Sequence, residues 1–414
     1  MSGFSNGFIY VIIFFSLYFE IFLFITYLEK REVMKKEESK KNTKTLPSVS
    51  IIVPCYNEEK TIGKTLLSLL NLNYPKDKLQ IIVINDGSTD STAKVLKRFG
   101  RHRNVDIFHK ENGGKYTALN FGLTQARGKL VGCLDADSFV EKDSLKKIAV
   151  YFEDKSVMSV VPSIIVHSPS NIIQFVQHAE YQWGIFLRKV LSYVGSLYVA
   201  PGPFSIFRRS VFEKIGNYTD GHCTEDLEIA LRMQKHHYRI LNAHNAFVHT
   251  VAPPTLKKLY RQRLRWTYGF LKNALDYREL FFKKEYGHLG SIVLPMAVIT
   301  IFITLYYIIT ALWTVGEKTL EYVTRIQTVG LPALSLESFH FDLFFVNIDS
   351  ILFLTLALFI LTITLLLLGK RIAEGHWNVS KDVLYFLLLY PLIAPLWLLK
   401  AIYDVAFARK VQWR

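Results

Sequence analysis

The apolar residues of this chain are segregated, and that segregation limits what it can fold into more than any single motif does. Gly7 to Leu28 is an apolar and aromatic run broken mainly by Glu20. At about 1.5 Å per residue it reaches across a hydrocarbon core of about 30 Å. Hydrophobic character then lapses and returns from Leu289 onward, with candidate spans at Ser291 to Trp313, Ile351 to Leu368 and Val383 to Ala401. The chain therefore divides into an N-terminal transmembrane helix (1–28), a basic linker (29–45), a water-facing domain (46–287) and C-terminal transmembrane or interfacial helices (288–414). A cleaved signal peptide is disfavoured at the start. No basic region precedes the run, it exceeds a usual signal core, and no small-residue cleavage pattern follows.

Charge orients this plan. Lys30, Arg31, Lys35, Lys36, Lys40, Lys41 and Lys44, interspersed with Glu29, Glu32, Glu37 and Glu38, follow the first span. By the positive-inside tendency this flank and the central domain are cytoplasmic, in an integral cell-membrane protein. Three C-terminal spans would place the basic tail from Ala408 to Arg414 outside, which its charge opposes. Either one segment lies in the interface, or the last span breaks at Pro391 and Pro395, and the sequence is compatible with both. A break at membrane depth survives only where protein or a water-filled cavity satisfies the backbone, so it would point to a channel.

The net charge of +15 fits a protein drawn to anionic lipid and to phosphorylated substrates. Nucleic acid is not an expected partner, because the charges sit beside spans and no recognition module is visible. Cys55, Cys133 and Cys223 lie in no metal-type spacing and read as small core residues in a reducing compartment.

The middle alternates β-branched runs with helical patterns. Strands are expected at Val49–Val53, Leu79–Ile84, Val105–His109 and Leu130–Leu134, with helices at Thr61–Asn71, Thr89–Phe99 and Lys115–Ala126 between them. Such alternation specifies an α/β domain with a mostly parallel sheet, whose ligands sit at the carboxyl ends of the strands. Those ends carry Pro54-Cys55-Tyr56-Asn57-Glu58, Asn85-Asp86-Gly87-Ser88 and Asp135-Ala136-Asp137. A helix cap by Ser88 or Thr89 explains one hydroxyl, but not three acidic clusters on one edge. The Asp135 and Asp137 carboxylates, one residue apart, can hold Mg²⁺ or Mn²⁺ against a diphosphate. Asn112-Gly113-Gly114-Lys115 opens a helix where Lys115 could meet a phosphate, although a plain turn accounts for it equally well.

Two later clusters extend the pattern. Thr224 can cap a helix from Glu225 to Gln234, and acids in its first turn also suit the helix dipole. Gln262-Arg263-Leu264-Arg265-Trp266 falls in a helical stretch from Pro254 to Leu275, where Gln262, Arg265 and Trp266 share one face at i, i+3 and i+4. A guanidinium suits phosphate and an indole suits a sugar ring. A basic membrane-surface helix anchored by Trp266 would carry the same residues.

Taken in order, Asp86, Asp135-Ala136-Asp137, Thr224-Glu225-Asp226 and Gln262-Arg263-Leu264-Arg265-Trp266 closely resemble the motifs of membrane-embedded processive glycosyltransferases of family 2. The resemblance covers nearly the whole length. These proteins have the GT-A nucleotide-sugar fold and include the synthases of cellulose, chitin, hyaluronan and poly-β-1,6-N-acetylglucosamine. The resemblance implies that Tyr56, Glu58 and Asp86 recognise uridine, that Lys115 and Asp135 contact the diphosphate, and that Asp137 holds the divalent cation. Asp226 would be the general base in a catalytic pair with Glu225, Gln262 and Arg265 would grip the leaving diphosphate, and Trp266 would support the acceptor sugar. Pro201-Gly202-Pro203-Phe204-Ser205 falls where such enzymes shape the acceptor site, which assigns Phe204 and Ser205 to acceptor binding.

The sequence departs from these relatives at Pro254, which stands after Pro253 where an acid is frequent, and this touches a gating or acceptor-contacting loop. Thr267-Tyr268-Gly269 follows Trp266 where small or polar residues are frequent, so it says little about the sugar. No soluble regulatory domain is expected after Trp266. The resulting expectation is an inverting transferase that takes a sugar, N-acetylglucosamine first, from its uridine diphosphate conjugate and elongates a β-linked polysaccharide, with coupled translocation. Transfer of one sugar to a membrane lipid, or an inactive nucleotide-sugar-binding subunit, are the alternatives. Accessory subunits cannot be read from the sequence.

Overall fold

The computed structural model describes residues 2–39, 45–329 and 350–409. Lys40, Lys41, Lys44 and the last five residues of the basic tail lie outside them. The first helix, α1 (Ser2–Ser39), continues well past the apolar run, so the charged segment up to Ser39 is helical. Glu, Lys and Arg are good helix formers, and no glycine or proline interrupts them there.

The expected alternation follows as β1 (Val49–Cys55), α2 (Ile62–Leu70), β2 (Leu79–Asp86), α3 (Thr92–Lys97), β3 (Val105–Lys110), α4 (Lys115–Gln125) and β4 (Leu130–Cys133). After them come β5 (Ser138–Val140), α5 (Ser144–Tyr151), β6 (Val157–Val166), α6 (Ile172–Tyr193), β7 (Ile206–Arg208), α7 (Arg209–Ile215), α8 (Glu225–Lys235), β8 (Arg239–Thr250) and α9 (Leu256–Asp276). One sheet unites all eight strands in the order β3-β2-β1-β4-β7-β6-β8-β5. The half built from β3, β2, β1 and β4 is parallel, whereas β7 runs antiparallel to both β4 and β6, and β5 antiparallel to β8. The GT-A fold class is as expected, with a mixed sheet.

Register decides where the chemistry falls. Val49 lies opposite both Leu79 and Leu130, so β1, β2 and β4 start level, and Asp86 lies opposite Lys110, so β2 and β3 end level. Ile51, Ile52, Val53, Ile81, Ile82 and Val83 are buried on both faces of the sheet. Each such side chain contributes about 1.5–3 kcal/mol on burial, which fixes the strands and leaves their polar ends as the adjustable edge.

Four helices are long and apolar enough to cross a membrane: Gly7–Glu37, Leu289–Thr328, Ser350–Glu374 and Lys381–Ala406. The last three correspond to α10 (Leu294–Val329, entered through a π-helical turn from Leu289), α11 (Ser350–Glu374) and α12 (Lys381–Ala406). α12 runs as one helix through Pro391 and Pro395, so the chain does not break there. Both prolines still remove a backbone donor from the helix interior, which is where a helix bends.

The helices and the sheet domain are joined by specific side chains. Glu37, near the end of α1, pairs with the buried Lys189 of α6 at 2.5 Å and accepts from the Tyr151 hydroxyl at 3.2 Å. Higher on α1, Glu20 accepts from the Thr362 hydroxyl of α11 at 2.7 Å. α6 lies between the sheet and α11 and α12, and α9 packs along α12.

Candidate active site

The loops at the carboxyl ends of β1 and β2 are tied to each other. Asn57 adopts a left-handed φ of 55°. Its backbone N–H donates to Ser88 Oγ at 2.9 Å, and its side-chain carbonyl accepts from the Thr89 N–H at 2.8 Å. Glu58 N–H donates to Thr92 Oγ1 at 2.9 Å, and the Glu58 carboxylate accepts from Thr61 Oγ1 at 2.7 Å. Ser88 and Thr89 therefore do not cap α3, contrary to the sequence reading. Asp90 supplies that function by accepting from the Thr92 N–H at 2.9 Å. Tyr56 is half-buried in the same loop.

Asp86 is buried with both oxygens engaged. One takes Lys110 Nζ at 2.5 Å and the Gly113 N–H at 3.1 Å, and the other takes the Gly114 N–H at 3.0 Å. The aspartate thus shapes the glycine-pair loop that leads into Lys115. Lys110 escaped the sequence reading. The register partner of Asp86 on β3 is its one signal, and that register is invisible until the strands are aligned.

Lys115 is the hub of the cluster. Its ammonium pairs with Asp135 and with Glu225, each at 2.8 Å, joining the end of β4 to the start of α8. Burial pulls the Lys115 pKa down, but Asp135, Glu225 and Asp226 together lift it well above the ordinary lysine value, so the ammonium stays charged. Burial raises Glu225 as well, and the Lys115 charge and hydrogen bond outweigh it and hold Glu225 below the usual carboxylate range. Asp226 goes the other way, up to about 6, because burial and the neighbouring Glu225 anion both oppose its charge. Burial, then Asp135 and Glu58, push Asp137 up to about 7. Asp135, Asp137, Glu225 and Asp226 thus converge at this edge, and their environments hold Glu225 as an anion while raising the neighbouring Asp226.

Asp226 is oriented by backbone donors, the Leu227 N–H on Oδ1 at 2.9 Å and the Gly202 N–H on Oδ2 at 3.3 Å. Thr224 precedes α8 but makes no capping bond. Its hydroxyl donates to the Gly221 carbonyl at 2.7 Å and accepts from Asn273 Nδ2 at 3.0 Å. α9 seats on this turn, and a Cβ on Gly269 would come within 2.3 Å of Thr224 Oγ1. Close approach at Gly269 brings the two late motifs together.

The acceptor-site assignment of Phe204 and Ser205 is corrected by their burial. Both are fully buried; Phe204 packs in the core under β4, donating its N–H to the Cys133 carbonyl at 2.7 Å, and Ser205 Oγ donates to the Pro201 carbonyl at 2.6 Å. Gly202 is the residue of that loop that borders the cluster. A Cβ there would lie 2.7 Å from Lys115 Nζ and 3.0 Å from Asp135 Oδ2. Gly202→Ala is expected to slow turnover by about tenfold or more, since a shift of about 1 Å at a pinned group has that scale of effect. Initial rates of the variant against the parent check it.

On α9, Gln262 Oε1 accepts from Arg263 Nη1 at 2.7 Å. Arg265 lies close enough to α8 for its charge to lower both Glu225 and Asp226. Trp266 is partly exposed, with the Arg263 guanidinium 4.3 Å from its ring centre. Sequence reasoning gave Arg263 no role of its own, yet its guanidinium sits against both Gln262 and Trp266. Cys55 and Cys133 are buried, and burial pushes both thiols up to about 12, in keeping with core residues.

A mixed sheet of this order, with acids at the ends of its parallel strands, has the GT-A architecture. Residues 50–216 match the family described as Glycosyl transferase family 2. The matched segment lies between helices of membrane-spanning length. Among curated relatives, it is 31% identical over 274 residues to the poly-beta-1,6-N-acetyl-D-glucosamine synthase of Staphylococcus aureus strain COL, covering 64% of this chain and 65% of the relative. It is 28% identical over 268 residues to the synthase of the same name from Staphylococcus epidermidis strain ATCC 35984, again covering 64% and 65%. The chain thus aligns with slightly under two thirds of the length of these relatives. A solved mannosyltransferase from Pyrobaculum calidifontis, in complex with GDP-Man and Mn²⁺, shares the fold over 96% of this chain and 99% of its own, with a TM-score of 0.57 and 18% identity.

Proposed function

We propose that this chain is an inverting glycosyltransferase that takes N-acetylglucosamine from UDP-N-acetylglucosamine and adds it to a growing β-linked polysaccharide at the cytoplasmic face of the membrane. In this reading synthesis is processive and the product passes through the protein's own spans. The observation that carries the proposal is the Lys115 hub, which places Asp135, Glu225 and Asp226 around one cation at the carboxyl edge of the sheet. The relatives named for poly-β-1,6-N-acetylglucosamine synthesis supply the choice of sugar and polymer.

In this scheme the donor's uridine lies against the loops of Tyr56, Glu58 and Asp86, and its diphosphate faces Asp135, Gln262 and Arg265. Asp226 accepts the proton of the acceptor hydroxyl as that oxygen attacks C1, and the C1–O bond to diphosphate breaks on the opposite side. One base and in-line displacement invert the anomeric centre. Arg265 stabilises charge on the departing oxygens. The raised pKa of Asp137 marks a buried carboxyl crowded by Asp135 and Glu58, an oxygen donor set that fits Mg²⁺ or Mn²⁺. Among the described residues no three His, Cys, Asp or Glu side chains group as a full metal cage. Asp137 with Asp135 would therefore hold the cation together with the donor's own phosphates. When bound, the cation neutralises the diphosphate charge.

The carboxyl pKa values give opposite signs for rate and stability. Asp226 must be ionised to accept a proton, so turnover is expected to rise with pH across about 5 to 7, through its value of about 6. Both Asp226 and Asp137 hold protons more tightly folded than unfolded. Their ionisation therefore costs stability as pH rises from their ordinary range through about 6 and about 7. A rate profile and an unfolding profile over the same pH range, taken without divalent cation for the second, check both slopes.

The deciding experiment is UDP release by the purified full chain in detergent, with Mg²⁺ or Mn²⁺, against a panel of nucleotide sugars, followed by product sizing. Release from UDP-N-acetylglucosamine with long product is the expected result. Exclusive formation of a short lipid-linked product would replace processive synthesis by single addition to a lipid. Release from no donor would overturn the enzymatic reading.

A further inference from the structure

We propose that Glu180 is a positioning residue that sets the indole of Trp266 through Arg263, and that Tyr390 makes this setting depend on the seat of α12. Glu180 lies on α6, some distance in sequence from both partners. Its Oε2 accepts from Arg263 Nη2 at 2.6 Å, and its Oε1 accepts from the Tyr390 hydroxyl at 3.2 Å. One carboxylate thus joins α6, α9 and α12.

Arg263 is almost fully buried, and its side chain is held at both ends of the guanidinium. Nη2 meets Glu180, Nη1 donates to Gln262 at 2.7 Å, and the planar group lies 4.3 Å from the Trp266 ring centre. Burial of Arg263 disfavours its charge and the Glu180 carboxylate more than restores it, so the guanidinium is held as a cation beneath the indole. A cation fixed against one side of an aromatic ring limits the tilt of that ring, and the other side is then presented at a set height. Trp266 is the partly exposed member of the group, so its free side is the one a ligand can reach.

Tyr390 immediately precedes Pro391, which removes the helical donor that Leu387's carbonyl would otherwise meet. The Glu180 contact therefore falls where α12 is most able to bend. Tyr390 is also packed edge-on to the buried Trp397, with ring centres 6.0 Å apart. A displacement of α12 at this point pulls on the carboxylate that holds Arg263, and so changes the ring that would carry the acceptor.

The proposal rests on the reading of Trp266 as the acceptor platform for its functional consequence, but its structural core is independent of that reading. The test uses the full chain in detergent with Glu180→Gln, Tyr390→Phe and the exchange pair Glu180→Arg with Arg263→Glu. The fluorescence of Trp266 is isolated as the difference between each protein and its Trp266→Phe counterpart, and its quenching by acrylamide is measured. KM for a β-1,6-linked N-acetylglucosamine oligosaccharide and for UDP-N-acetylglucosamine are measured in parallel.

Glu180→Gln is expected to raise Trp266 quenching about twofold and the acceptor KM about tenfold, with the donor KM changed by less than about threefold. Tyr390→Phe, which removes a single hydrogen bond, is expected to move the same two quantities in the same direction by less. The exchange pair restores opposite charges but places no cation under the indole, so it is expected to leave the acceptor KM high. Unchanged quenching in Glu180→Gln and Tyr390→Phe, or full recovery of acceptor KM by the exchange pair, overturns the proposal. If the parent protein turns over no nucleotide sugar, the enzymatic reading fails and the quenching arm alone still decides whether Glu180 sets Trp266.

Discussion

Asp226→Asn is expected to lower sugar transfer by about 10²–10⁴-fold while UDP still binds. Asparagine fills the same space and can keep one of the two backbone donors, the closer Leu227 N–H, by presenting its carbonyl to it, losing only the longer bond from the Gly202 N–H. What it lacks is a lone pair basic enough to take a proton near pH 7. The measurements are initial rates of UDP release and equilibrium binding of UDP on the same preparation. Retained transfer would refute the assignment of the base, and joint loss of binding and transfer would show that the residue serves the donor site instead. Because Glu225 is held as an anion by Lys115, it is poorly placed to substitute as the base, and rescue by it is not expected.

Lys115→Met is expected to be the most damaging single change, through stability as well as rate. The ammonium is mostly buried and is the shared partner of Asp135 and Glu225. Its removal leaves two carboxylates facing each other with Asp226 nearby, and breaking a buried pair in this way costs about 3–5 kcal/mol. The acids would respond by binding protons, so the loss of stability is expected to be smaller at pH 5 than at pH 8. Unfolding midpoints at the two pH values check this, and an equal loss at both would show that packing of the lysine stem, not its charge, dominates. Turnover should fall below detection at either pH. No group remains to hold the strand-end acid and the acids of α8 at their present separation.

The first half of the fold was legible because β1, β2 and β4 are short apolar runs buried on both faces, with β3 a half-buried run at the sheet edge, separated by polar loops with helical patterns between them. The acidic ends of these strands stood out for the same reason. The second half was harder. β7 has three residues and β5 three, too short for any periodicity, and β8 mixes His and Asn into its buried positions. Antiparallel pairing of β7 follows from long-range packing and from nothing local. α6 was missed because its buried face carries Gln174, Gln177, Gln182 and Lys189, whose polarity hides the helical pattern.

Site residues were legible where chemistry and spacing coincide, as in Asp135, Asp137, Glu225 and Asp226. They were misread where a residue's partner lies on another element. Ser88 and Thr89 looked like caps, yet they bind Asn57 in a different loop. Phe204 and Ser205 looked like a loop facing substrate, yet the proline-glycine-proline segment turns both inward. Lys110 and Arg263 were passed over since their partners, Asp86 and Glu180, become neighbours only after the chain has folded.

The two anchors of α1 have a geometric consequence. Glu20 meets α11 and Glu37 meets the α6 surface of the sheet domain, so the helix is engaged at two points about 26 Å apart along its axis. A straight helix advances about 100° per residue, which makes the interval between these anchors a fixed angular phase as well as a length. Adding or deleting a single residue between them would turn one carboxylate away from its partner while leaving composition and hydropathy almost unchanged. The first helix thus behaves as a keyed rod whose two notches must register with the apolar helices and the sheet domain at once.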